Sequence, residues 1–447
     1  MSIFDHKRLD NSVFKLDIDR MRQGWYTDKY FSNIASMLHA LSLESYTYRG
    51  HDSHLPPDIN TADIPTGDLE VEMQWFTRRH GTSVVVGVDK VLTMLKHCTG
   101  YWEGDHFVDT SDQLQVWAVH DGVCVTSNGD PLTVQPVIRV RGRYRDFAML
   151  ETPTLGILSR ASRIATNVYN TLVAANSKPV LFFPARYDLH ESQAADGYAY
   201  NIAVQRYNLD YRDTLGAFIS TDAQGDWWGG SGGGTIAHAL IACFLGDTAE
   251  ATLSFSRVLP LSVPRIALVD FNNDCVTDSV HVCKAMFEQY RAMLEAGRED
   301  EARKYILYGV RLDTSASLRD NCLPPLGDES LDMGVNPRLV FYTRQGLDRA
   351  WESWNLPEEW KAKAREFCQN VKIVVSGGFN PDKIRRFEKL KVPVDVYAIG
   401  SYLFDNHGPT VTDFTADVVR IKVHDQWYDM AKVGRRPLNN PAMERVW

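Results

Sequence analysis

The chain has 447 residues, 44% apolar and 23% charged, the make-up of a globular protein with room for two or three domains, or for one elaborated barrel with additions. A net charge of −9 excludes a global basic field for nucleic acid or anionic membrane, so a phosphate ligand has to be met by a local cluster of donors. The seven cysteines (98, 124, 243, 275, 283, 322 and 368) are scattered without a C-x-x-C, which argues against a disulfide framework or a cysteine-rich zinc centre and for a reducing cytoplasm; a charged N-terminus and the lack of any 18-residue apolar run predict no signal peptide and no membrane span.

In chain order, Thr27–Leu43 reads as a helix, with Tyr30, Phe31, Ile34, Met37 and Leu38 at helical spacing. Across Leu114–Leu150 the runs VWAV, GVCVTS, PLTVQPVIRVRG and FAML read as short strands separated by turns such as NGDP. From about Thr154 a long amphipathic helix is marked by Ile157, Ala161, Ile164, Val168 and Leu172. Six short strands follow, at 180–185, 216–221, 265–270, 308–313, 372–378 and 394–401, with helices between most of them, for example Ser279–Ala296 and Pro381–Leu390. Strands apolar on both faces and separated by helices imply a parallel sheet. An irregular α/β barrel fits the count; periodicity does not separate it from a doubly wound sheet. The tail carries one more strand, 418–424, expected to return to the N-terminal β region. The predicted organisation is an N-terminal α+β domain (1–153), a barrel (154–405) and a C-terminal segment (406–447) that completes the first domain.

Ligands of parallel α/β folds bind at the C-terminal ends of the strands. The residues there are Arg186, Asp270, Arg311, Asp313, Gly377–Asn380, and Gly400 with Ser401; the glycine-rich stretch WWGGSGGGTIAH adds Thr235 and His238. Singly, each has an ordinary structural reading: a turn, a helix cap, a solvated cation. Together, two late glycine loops face two arginines and two aspartates at one rim, and Pro381 suits the first turn of a helix, next to an anion site. Gly377 and Gly378 are expected to let the backbone approach a phosphate where a Cβ would obstruct it.

Seven segments in order resemble the nicotinate phosphoribosyltransferases, which are type II phosphoribosyltransferases: GWYTDKYF (24–31), VEMQWFTRR (71–79), LETPTLGILSRASRIATN (150–167), GTIAH (234–238), GVRLDTS (309–315), VSGGFNPDKI (375–384) and VDVYAIGS (394–401). The resemblance implies an irregular barrel beside an N-terminal domain and a homodimer with shared active sites. Tyr30 would stack on nicotinate in the partner's site, and Thr235 and Arg311 would contact nicotinate. His238 would be phosphorylated by ATP, and Ser401 would bind the 5′-phosphate of phosphoribosyl pyrophosphate. Three positions depart from the family pattern: Ala239 follows His238 where glutamate is frequent, Thr314-Ser315-Ala316 replaces Ser-Gly-Asp, and FNND follows Val269-Asp270 with Asp274 as the nearest counterpart of a family aspartate.

The implied reaction fits the residues. A pyridine nitrogen carries its own lone pair, so no catalytic base or nucleophile is required. Breaking the bond from the anomeric carbon to pyrophosphate needs Mg²⁺ and cations on the leaving group, with Arg78, Arg79, Lys432 and Arg435 as candidates, and anions such as Asp270 and Asp313 near the sugar. Arginine suits the carboxylate of nicotinate, and a phosphoryl group on His238 suits a helix start. Nicotinamide or quinolinate as the substrate, and a non-catalytic phosphate-binding member of the fold, are the alternatives.

Overall fold

A computed structural model of the chain describes residues 5–51 and 53–447. The N-terminal region supplies strands β1 (Glu70–Thr77), β2 (Gly81–Val84), β3 (Gly100–Glu103), β4 (His106–Asp109), β5 (Gln115–Ala118), β6 (Cys124–Ser127) and β7 (Ile138–Arg143). The barrel supplies β8 (Val180–Phe182), β9 (Ile266–Leu268), β10 (Gly309–Leu312), β11 (Lys372–Val375) and β12 (Val396–Ile399). The tail supplies β13 (Phe414–Val423), β14 (Gln426–Asp429) and β15 (Glu444–Arg445).

The first sheet runs β14-β13-β1-β7-β5-β15, so the C-terminal strands form both of its edges, as the tail pattern predicts. β1 is buried from Val71 to Thr77, and this includes Glu72, which is fully enclosed. Arginines on both neighbouring strands reach Glu72: Arg141 donates to Oε2 at 2.6 Å and Arg420 to Oε1 at 3.1 Å. FAML does not form a strand. Tyr144–Phe147 is a helical turn and Ala148–Leu150 a 3₁₀ turn, leading directly into the long helix, which begins at Glu151 and runs to Ala175. Its alternation is too short to compete with the helix that follows it.

The helix Glu151–Ala175 separates two cores. Leu158 packs with Trp75, Val140 and Phe147 of the first lobe; Ala161, Ile164, Ala165, Val168 and Leu172 pack with the barrel. Its polar residues join both sides: Thr154 accepts from the Trp75 indole at 3.1 Å, Ser162 from Val86 N at 3.0 Å and Thr166 from Val84 N at 3.0 Å, while Asn167 donates to Asp405 O at 2.9 Å.

The barrel strands are parallel, in the order β8-β12-β11-β10-β9. The expected sixth strand, 216–221, makes only an isolated bridge between Ile219 and Phe182. Irregular chain still closes the ring. Phe182 N donates to Phe218 O at 3.0 Å, Gly233 N to Ile219 O at 2.8 Å, and Ile236 N to Ile266 O at 3.5 Å. The glycine-rich segment thus fills the place of regular strands between β8 and β9, which makes the barrel irregular. Its interior holds a small core of Leu181, Ile266, Val374, Val396 and Ala398, and Arg311 shares this face through its register with Leu268 and Val374. No helix among the described residues is long and apolar enough to cross a membrane, and all seven cysteines are free thiols.

Candidate active site

The C-terminal rim of the barrel encloses a cleft of about 460 Å³. β8 leads into Phe183, Arg186 and Tyr187; the closing segment brings Ser220, Thr235 and His238; β10 supplies Arg311 and Asp313; β11 supplies Ser376, Gly377 and Gly378; β12 supplies Gly400 and Ser401. Asp270, at the end of β9, reaches the cleft through His238, whose Nε2 lies 3.0 Å from both carboxylate oxygens. Burial raises the Asp270 pKa above the ordinary carboxylate range, opposed by the contact with His238. His238 is half exposed, at the first position of the short helix His238–Cys243.

Arg311 is a half-buried cation lining the cleft. One of its terminal nitrogens donates to Ile236 O at 3.2 Å, while its Nε is buried and has no partner. Burial lowers its pKa, and Asp313 and Asp270 act in the opposite direction. A guanidinium held so, with donor capacity unused, is set to receive an anion from the cleft. Asp313 is held from behind by Ser376, whose hydroxyl donates to Oδ1 at 2.7 Å. Arg186 is exposed at the mouth and donates to the Tyr187 hydroxyl at 3.2 Å.

Gly377 and Gly378 have φ of +86° and +68°, a left-handed backbone that other residues adopt only with strain. A Cβ on Gly378 would meet nothing within 4 Å. The positive φ values make both positions ones that favour glycine for the path of the chain, and the space beside Gly378 is open. At Gly400 crowding does apply, since a Cβ would lie 2.6 Å from the Tyr187 ring. Asn380 caps the helix Pro381–Lys389, with Pro381 in its first turn as expected.

Tyr30 is not in the cleft. It is 57% exposed on the helix Lys29–Leu43 of the first lobe, against Phe31 and within 3.4 Å of Asp28. Nor do Arg78, Arg79, Lys432 and Arg435 line the cleft. Arg79 is buried, donating to Thr412 at 2.9 Å and Asn167 at 3.0 Å, and Arg435 pairs with Asp417 at 2.6 Å. Asp274 caps the helix Cys275–Glu295, accepting from Thr277 N at 3.1 Å. Phe183, Tyr187, Ser220 and Ser376 were not singled out from sequence; the signal available for Ser376 was its place between an apolar strand and a glycine pair.

A family model described as "Quinolinate phosphoribosyl transferase, N-terminal domain" matches residues 58–162. Nicotinate phosphoribosyltransferase 1 of Arabidopsis thaliana is 32% identical over 141 residues, 31% of this chain and 22% of that protein, and nicotinate phosphoribosyltransferase 2 of the same plant is 33% identical over the same length and shares. The matched stretch is thus under a quarter of the length of these relatives. Among solved structures, the nicotinate-nucleotide pyrophosphorylase from Pyrococcus furiosus aligns with a TM-score of 0.61 at 24% identity, over 94% of this chain and 80% of the other, and shares its fold. Residues 58–162 thus match the N-terminal domain of a phosphoribosyl transferase family model, and over 94% of its length the chain shares the fold of the Pyrococcus furiosus enzyme.

Proposed function

We propose that the protein is a nicotinate phosphoribosyltransferase that joins nicotinate to phosphoribosyl pyrophosphate, yielding nicotinate mononucleotide and pyrophosphate in a cytoplasmic NAD salvage step. The observation that carries this reading is Arg311, a half-buried cation with an unused donor, lining a cleft rimmed by two glycine loops. Arg311 binds the carboxylate of nicotinate, beside Thr235 and against the ring of Phe183. The 5′-phosphate takes the backbone N–H groups of Gly377 and Gly378 and of Gly400, with the Ser401 hydroxyl. As the bond from the anomeric carbon to pyrophosphate breaks, the pyridine nitrogen forms the new bond to that carbon, and Asp313 stabilises the positive charge that develops on the sugar. Arg186 at the mouth offers a cation to the departing pyrophosphate. Asp270 and Asp313 have the donor chemistry to hold, directly or through water, a Mg²⁺ ion carried in with phosphoribosyl pyrophosphate, and that ion would neutralise the leaving group.

ATP is a co-substrate in this reading. Its terminal phosphoryl group passes to a ring nitrogen of His238, ADP leaves, and the phosphohistidine is later hydrolysed. Ala239 offers no carboxylate, but the contact between His238 and Asp270 supports an oriented imidazole. ATP then stimulates turnover without being strictly required. The protein works as a homodimer in which Tyr30, exposed beside Tyr26 and Met37, serves the partner's cleft; mixing Tyr30→Ala and Arg311→Ala proteins restores part of the activity if this is right.

The test is pyrophosphate release with phosphoribosyl pyrophosphate and each of nicotinate, nicotinamide and quinolinate, with and without ATP, followed by assay of acid-labile phosphate on His238. Release that requires nicotinate supports the reading. Release with quinolinate or nicotinamide alone reassigns the substrate, and no release with any of the three leaves a phosphate-binding, non-catalytic member of the fold.

A further inference from the structure

Far from the cleft in sequence, three side chains from separate parts of the chain converge: His6, His120 and Glu444, each with one ligand-type atom, all within 4.8 Å of one another. His120 Nε2 is 2.6 Å from Glu444 Oε1, and the rings of His6 and His120 meet edge to face with centroids 5.7 Å apart. We propose that this cluster binds a divalent transition-metal ion of the zinc type, which fastens the N-terminal segment and the last strand to the turn after β5.

The ligand chemistry selects the class. Two imidazoles and one carboxylate suit zinc and its neighbours, whereas magnesium and calcium favour oxygen donors alone. The three backbones are already fixed by contacts independent of any metal. In the N-terminal segment, Leu9 N donates to Asp89 Oδ2 at 2.9 Å, and Arg8 donates to Asp89 Oδ1 at 2.9 Å and to Val119 O at 3.0 Å. The turn carrying His120 is held by Val119 N on Val137 O at 2.9 Å and by Val123 N on His120 O at 3.2 Å. Glu444 lies on β15, opposite Ala118 of β5, with Val446 N donating to Val116 O at 2.8 Å. Little chain entropy is then lost when a metal engages the three side chains. Arg8 also lies near Glu444, with Nη2 3.4 Å from Oε1, but its main partners are Asp89 and Val119 O, so it competes weakly for the carboxylate. His6 and Glu444 are exposed, and none of the three residues lines the candidate active site, which makes the role one of fastening rather than catalysis.

The experiment uses the full chain, purified without a polyhistidine tag and stripped with a chelator. Zn²⁺ is titrated by calorimetry, thermal unfolding is followed with and without Zn²⁺, and Co²⁺ serves as a spectroscopic probe. The expected result is one ion per chain and a higher unfolding temperature with Zn²⁺. His6→Ala and His120→Ala should each weaken binding by at least about tenfold and abolish the thermal gain. Because His6 is exposed, its replacement leaves the fold intact, so it decides the matter even where His120→Ala fails to fold. Unaltered affinity in His6→Ala, no saturable binding, or a cobalt–thiolate band placing the ion on the exposed Cys243 would each overturn the proposal.

Discussion

The first lobe and the barrel rim use arginine in opposite ways. In the sheet, Arg141 and Arg420 sit on either side of β1 and both bind the enclosed Glu72, with Arg139 at 3.8 Å. At the rim, Arg311 is half-buried beside carboxylates that are not bound to it, and its Nε, like that of Arg139 in the sheet, has no hydrogen-bond partner. An enclosed carboxylate bound by arginines of both neighbouring strands ties those strands together; a cation lining a cleft with no carboxylate bound to it is open to a ligand. The same contrast separates two acids of the first lobe. Glu72 has arginines around it, whereas Glu151, pushed up to about 8 by burial and by Asp417 and Asp28, forms no ion pair among the described residues.

Four substitutions break or sharpen this contrast. Removing the acid from the cluster in the sheet, Glu72→Ala, should have the largest effect on stability, roughly 3 kcal/mol, at the low end for a buried pair because the arginines reach solvent; chemical denaturation measures it, and an unchanged midpoint would dissolve the distinction. Arg311→Ala should act on the other axis. Its kcat/KM for nicotinate falls by about 2–5 kcal/mol, or from roughly thirtyfold to several thousandfold, with discrimination against nicotinamide reduced, while the unfolding midpoint stays level or rises. Gly378→Val forces a branched side chain into a left-handed backbone, with a strain of about 1–3 kcal/mol. It should weaken phosphoribosyl pyrophosphate binding more than nicotinate binding, as read from separate Michaelis constants; equal effects on both would detach this loop from the phosphate.

The smallest effect concerns Glu151 and depends on pH. Its folded pKa of about 8 lies above the ordinary glutamate value of 4.5, so as pH rises the unfolded chain ionises first. Wild-type stability from this group is intact below about 4.5, is lost progressively toward 8, and levels off above that. Glu151→Gln should therefore match wild type near pH 4 and gain on it through this window. A constant difference across the window would mean that Glu151 ionises normally.

Much of the barrel was legible because its strands are apolar on both faces, and the rim residues followed from their places at strand ends. Chain that closes the ring through a few hydrogen bonds, as 216–236 does, carries no period to read. The arginines show a deeper limit. Arg79 in an FTRR motif and Arg311 in GVRLD are equally plausible anion ligands in sequence, yet Arg79 is held by Thr412 and Asn167, which are remote in the chain. Satisfaction of a buried donor is a property of distant partners. For Tyr30, helical spacing fixed its element but said nothing of what its exposed ring meets.

The sheet of the first lobe also imposes an order of events on synthesis. β1 and β5 emerge early, but the strands that cover their outer edges, β13 and β15, lie at the far end of the chain. At ribosomal rates, the stretch between Thr77 and Phe414 takes on the order of tens of seconds to make. Throughout that interval the nascent sheet has open, largely apolar strand edges while the barrel folds beyond it. A newly made molecule is thus vulnerable to aggregation until β13 and β15 have left the ribosome, and a stop codon shortly before β13 would yield a chain with an intact barrel sequence and a first lobe permanently exposed to chaperones and proteases.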